Sequence, residues 1–228
     1  MMKGIVTALF LCIPFSSFAN IDDEMEMCRN GGFPYYSGQY SVAKINAPHA
    51  DKVHFYDDDI RDGCPDNKAV CQSKTSLKAG DSVLVAQEKN GWSCVWHFGK
   101  KSEFVGWMQS IYLEKQPIKT AGINAWLGSW HEYGNSIKIT RGKNDTLHLK
   151  GKARWHGGVS SYGERIVHYG NISASAIPNG NRLQWGDSLE EFECTGVMQL
   201  INGNLIVKDN GNCGGMNVRF NGIYRLKR

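Results

Sequence analysis

Cysteine is the residue type here best suited to chemistry, and Cys213 has the most suggestive setting, in "GNCGGMNVRFNGIY", residues 211–224. A cysteine in a glycine-rich bend is either a thiolate cradled by backbone amides or half of a disulfide. The first would make the protein an enzyme, the second a stapled binding protein. Hairpin register separates them. Asn202-Gly203 supplies the two φ > 0 residues of a two-residue loop. That loop pairs Ile201 with Asn204, Leu200 with Leu205, Gln199 with Ile206 and Met198 with Val207. Carried outward, the register sets Cys194 opposite Gly211, which leaves Cys213 within the slack of Gly-Asn-Cys-Gly-Gly. A Cys194–Cys213 bridge is therefore expected, closing a loop of about 20 residues.

Compartment supports the same reading. Lys3 precedes an apolar run from Gly4 to Phe15, and Ser17-Phe18-Ala19 suits cleavage at small residues, so 1–19 reads as a signal peptide. Cys12 leaves with it. Cys28, Cys64, Cys71, Cys94, Cys194 and Cys213 remain, an even set for an oxidising exported compartment such as the periplasm. The first four allow three pairings, of which Cys64–Cys71 with Cys28–Cys94 is favoured. No other stretch approaches the roughly 20 apolar residues of a membrane helix.

Other reactive types form no catalytic or metal constellation. Asp57-Asp58-Asp59 with Asp62-Gly63 has the look of a calcium loop, but Arg61 stands at its fifth position and Lys68 at its twelfth, where an EF-hand needs oxygen ligands. A looser divalent-cation loop or an acidic solvated loop remains. His49, His54, His97, His131, His148, His156 and His168 show no close ligand spacing. His131 and Glu132, as strand neighbours, face opposite sides. No catalytic residue, metal ligand or cofactor is assigned, and the protein reads as a non-enzyme.

Recognition has a better candidate in "RWHGGVSSYGER", 154–165. Rigid aromatics and arginines among glycines and serines are typical of protein-binding surfaces, which makes Trp155, His156, Tyr162 and Arg165 the candidate partner contacts. The alternative is a decorated loop with Trp155 tucked under as a lid. Trp126, Trp130 and Trp185 sit in alternating strands and read as interior packing.

These residues need a β framework to position them. The chain has 26 glycines and no long stretch with helical apolar recurrence, so the expected fold is all-β. Residues 115–124 read as a linker between domains at 20–114 and 125–228. In the second, candidate strands fall at 126–131, 136–141, 145–153, 166–176, 182–186, 193–201, 204–209 and 217–226, which suits a roughly eight-stranded up-and-down antiparallel barrel or a strongly bent sheet. That half carries thirteen Lys and Arg against eight Asp and Glu, scattered in sequence. Nucleic-acid binding, which wants a concentrated basic stripe, is not expected.

In the first domain, Leu77, Gly80-Asp81, Val83, Val85, Trp92, Val95, Gly106-Trp107 and Tyr112-Leu113 follow an order of glycine turn, strand, Asn90-Gly91 hairpin, Trp strand and Gly-Trp strand. Over Val42 to Glu114 this resembles the bacterial SH3-like domain, a small barrel, with a departure between His54 and Cys71. The resemblance implies an accessory module or a peptidoglycan or peptide ligand, held near Trp92 and Trp107. Gly128-Ser129-Trp130 and Arg225 resemble the lipocalin-like closure, in which an Arg covers a Trp. "WLGSW", "VKDNGNCGGMNVRFNGIYR" and the SH3-like stretch together resemble an uncharacterised family of exported proteobacterial proteins.

The expected function is that of a periplasmic, non-catalytic binding protein, an inhibitor or immunity protein occluding an envelope-directed toxin or hydrolase. The alternatives are a peptidoglycan-binding or envelope-maintenance module and a lipocalin-like carrier of a small ligand.

Overall fold

The computed structural model describes residues 27–35, 38–99, 102–187, 190 and 192–227, so the expected signal peptide at 1–19 lies outside the described residues. The protein is all-β, built from two antiparallel sheets. Among the described residues no helix is long and apolar enough to cross a membrane.

The first sheet comprises β1 (Ser41–Ile45), β2 (Val53–Tyr56), β3 (Gln72–Leu77), β4 (Ser82–Lys89), β5 (Trp92–Phe98), β6 (Glu103–Gln109) and β7 (Leu113–Gln116), in the order β3-β2-β6-β5-β4-β1-β7. Asn90 and Gly91 carry positive φ at the β4–β5 turn, as the hairpin dipeptide requires. Both faces of β4 are buried. Val83, Val85 and Val95 enter one core with Ile45, Phe55 and Met108, while Leu84, Ala86, Cys94 and Trp96 enter another with Phe33 and Tyr40. β7 runs past residue 114 into the expected linker, because Lys115 and Gln116 pair with β1.

The second sheet contains β8 (Gly128–Glu132), β9 (Asn135–Arg141), β10 (Leu147–Val159), β11 (Arg165–Ala176), β12 (Arg182–Trp185), β13 (Gly196–Ile201), β14 (Asn204–Asp209) and β15 (Gly222–Leu226), in the order β11-β10-β9-β8-β15-β14-β13-β12. It curls into a nearly closed barrel whose open seam lies between β11 and β12. Trp126, Trp130, Trp185, Leu205, Met198, Phe220 and Tyr224 fill the interior, each at most 1% exposed.

The 210–221 segment seals the seam. The β13–β14 register pairs Leu200 with Leu205 and Gly196 with Asp209, as the Asn202-Gly203 loop dictates. The Cys194–Cys213 disulfide forms with Cα atoms 4.5 Å apart. The Asn171 amide then donates to the Cys213 carbonyl (2.9 Å) and the Gly215 amide to the Tyr169 carbonyl (3.1 Å), adding a short extra rung to β11. A Cβ on Gly170 would lie 2.7 Å from the Cys213 carbonyl oxygen, so glycine is what admits this approach. Buried Asp209 organises the segment by accepting from the Gly211 (2.9 Å) and Phe220 (2.6 Å) amides. Strand β15 consequently starts at 222 rather than 217: Val218 and Phe220 drop into the barrel as loop residues.

The two sheets share a core. Ile201, Ile206 and Ile223, on the outer side of β13–β15, pack with Trp96 and Trp107 of the first sheet and with Phe33 and Tyr40 from the segment before β1. Arg225 lies over the Phe98 ring at 3.7 Å instead of covering Trp130, because strand alternation turns Tyr224 inward and Arg225 outward. The Trp130 indole instead donates to the Trp126 carbonyl (2.9 Å).

Candidate partner-binding surface

The residues 154–165 are the end of a long β-hairpin, where a loop was expected. β10 pairs with β9 only over Leu147–Lys152 but continues with β11 to Val159, so the β10–β11 ribbon outruns its neighbour as an arm. Its turn is pinned. The Ser160 amide donates to the Glu164 carbonyl (2.8 Å), the Ser160 hydroxyl accepts from the Tyr162 and Glu164 amides, and Gly163 takes φ 81°. Tyr162 is thereby held at the tip with 92% of its surface exposed.

The four expected contacts do not share one face. Trp155 turns inward at the root of the arm, against the barrel core and tilted over His168 with ring centres 5.4 Å apart. Gly157 makes room for it, since a Cβ there would come within 2.6 Å of the indole. His156 points to the opposite side, while Tyr162 and Arg165 are exposed at the tip. Trp155, partly buried against the barrel core, sits close to the lid alternative. Val159 (65% exposed), Ile166 and Tyr169 (67%) join Tyr162 as apolar surface. Ile166 and Tyr169 were hidden in sequence because alternation along β11 is equally the mark of a core strand.

The sealing segment braces the arm from below. His168 Nδ1 donates to the Met216 carbonyl at 2.6 Å, and Gly214 bridges Gly170. The disulfide at Cys213 thus lies one short rung from the arm's root, and both of its sulfurs are committed to that bond.

Trp92 and Trp107 meet in a second feature, a groove of about 710 Å³ bordered by Arg29, Asp58, Ile60 and Arg61. Trp92 meets Tyr56 edge-on at 4.7 Å. Buried Trp107 lines the groove, and its indole nitrogen has no hydrogen-bond partner among the described residues. The nearby disulfides are Cys28–Cys94 and Cys64–Cys71. The acidic run is engaged internally: Asp58 accepts from the Cys28 amide and Arg29, and Asp59 pairs with Arg61 at 2.7 Å. Hydrogen bonds from Arg61 hold the Asp59 carboxyl down at about 2. Among the described residues no cluster of three or more His, Cys, Asp or Glu side chains has metal-binding geometry.

A third feature joins the sheets. Burial, and then repulsion from Glu103 across the interface, push the half-buried Glu132 carboxyl up to about 7. Glu103 accepts the Trp96 indole N–H at 2.8 Å.

No protein-family model, curated protein or solved structure matches the chain.

Proposed function

We propose that the protein is an exported, periplasmic, non-catalytic binding protein, an inhibitor or immunity protein that places the β10–β11 arm against an envelope-directed enzyme or toxin. One observation carries the reading: a pinned two-stranded arm outruns the sheet and holds Val159, Tyr162, Ile166 and Tyr169 in solvent. Exposed apolar side chains on a rigid element are what a protein partner buries, and a pre-ordered element loses little entropy on binding. Three disulfides suit the oxidising compartment in which such a partner would be met. The test is capture. Tagged mature protein is incubated with envelope extract, and the bound enzyme is identified and assayed. Tyr162→Ala combined with Ile166→Ser abolishes capture while leaving the melting temperature unchanged; capture that survives the double substitution refutes the arm.

A second reading has its own observation, the Trp92–Trp107 groove, wide enough for a peptide and bordered by both charge signs. In an SH3-like domain this would hold a peptidoglycan stem peptide. Retention on purified sacculi that Trp92→Ala removes would favour it. The lipocalin-like carrier finds less support, since tryptophans, Phe220 and Tyr224 occupy the barrel interior.

A further inference from the structure

The outer face of β8–β11 carries a concentration of positive charge that the scattered sequence conceals. Side chains on this face come from Ser129 and His131 of β8, Ser136 and Lys138 of β9, Lys150, Lys152 and Arg154 of β10, and Asn171 and Ser173 of β11. None is acidic. All but Arg154 border a shallow hollow of about 490 Å³. Lys138 lies directly opposite Lys150 in the ladder, and Lys152 is diagonal to Lys138. Like charges directly across a sheet are destabilising. Among the described residues none of the three lysines has an ion-pair partner that would relieve this.

We infer that this face docks an acidic protein surface, belonging to the same partner that receives the arm; the inference rests on the reading of the arm as a protein-binding element. Two of the face's four strands, β10 and β11, run on into the arm, so a partner seated on one meets the other. Phosphate recognition would be built differently, with helix N-termini, backbone nests or guanidinium forks. Here the backbone amides are engaged in the sheet ladders, and the charges are mostly ammonium groups on flexible stems. An anionic membrane fits less well, because exposed Glu164 sits in the arm's turn beside Tyr162 and would be pressed into the headgroup layer.

The full mature chain is titrated with poly-L-glutamate at low salt and, separately, with vesicles of phosphatidylglycerol and phosphatidylethanolamine. Lys138→Gln/Lys150→Gln/Lys152→Gln is compared with a charge-matched control, Lys52→Gln/Lys74→Gln/Lys78→Gln in the first sheet's domain. The expected result is polyglutamate binding that weakens steeply with salt, falls about tenfold in the face variant and changes less than about twofold in the control. Equal loss in both variants, or wild-type binding to vesicles in preference to polyglutamate, overturns the proposal. Tyr162→Ala/Ile166→Ser separates the two claims. It retains polyglutamate binding even where partner capture is lost, so a failed arm and a failed basic face give different patterns.

Discussion

β14 and β9 belong to the same curled sheet, and their outward faces have opposite fates. On β14, Leu205-Ile206-Val207 are buried on both sides, because Ile206 leaves the barrel to join Trp96 of the first sheet and Phe33. On β9, Ile137 and Ile139 enter the barrel while Lys138 between them stands in solvent. One side of the barrel is thus an internal interface and the other is free for a partner. Continuous apolar sequence marks the first and strict alternation the second.

The comparison breaks most sharply by placing the same charge on both sides. Ile206→Asp should cost more than about 3 kcal/mol, because a carboxylate would be buried without a partner, whereas Lys138→Asp should change stability by no more than about 0.5 kcal/mol. Urea melts of the two variants check this, and similar losses would dissolve the distinction. Next in size is the seam. Cys194→Ala with Cys213→Ala should cost about 2–4 kcal/mol and release hydrogen-exchange protection at Asn171 and Gly215, which the stapled segment pairs with the arm's root. A smaller effect belongs to the interface carboxylates. Glu132 is raised in the folded state, so the stability linked to its proton is fully present below the ordinary glutamate value and is lost as pH rises through about 7. Urea melts at pH 5 and pH 8 should therefore show a loss at the higher pH that Glu132→Gln reduces. Smallest is Lys138→Glu, which replaces the like-charge pair with Lys150 by an attractive one and should stabilise by a few tenths of a kcal/mol.

Much of this architecture was legible locally. Alternation located the eight barrel strands coarsely, although β10 ends at 159 rather than 153 and the last strand starts at 222 rather than 217, and Asn202-Gly203 fixed the register that brings Cys194 to Cys213. The errors have physical causes. Val218 and Phe220 alternate like strand residues but are drawn into the barrel by a loop wound on Asp209, whose buried carboxylate has no local signature. Arg225 was expected on Trp130, but the face it occupies meets Phe98 of the first sheet, a contact that no local pattern encodes. At the candidate surface, the aromatic and arginine composition of 154–165 coincides with the projecting arm. Separating Trp155 as packing from Tyr162 as surface required knowing that β10 continues to Val159. The basic face needed the β9–β10 pairing before Lys138, Lys150 and Lys152 became neighbours.

The central claim is that the arm contacts the partner. A photo-crosslinking residue placed at position 162 of the mature chain, with a second version at position 92, tests it in intact envelopes. The account predicts a crosslink from 162 to one envelope-directed enzyme or toxin, whose activity falls when the wild-type protein is added, and none to that protein from 92. Crosslinks from 92 to peptidoglycan, with position 162 unreacted, would contradict it.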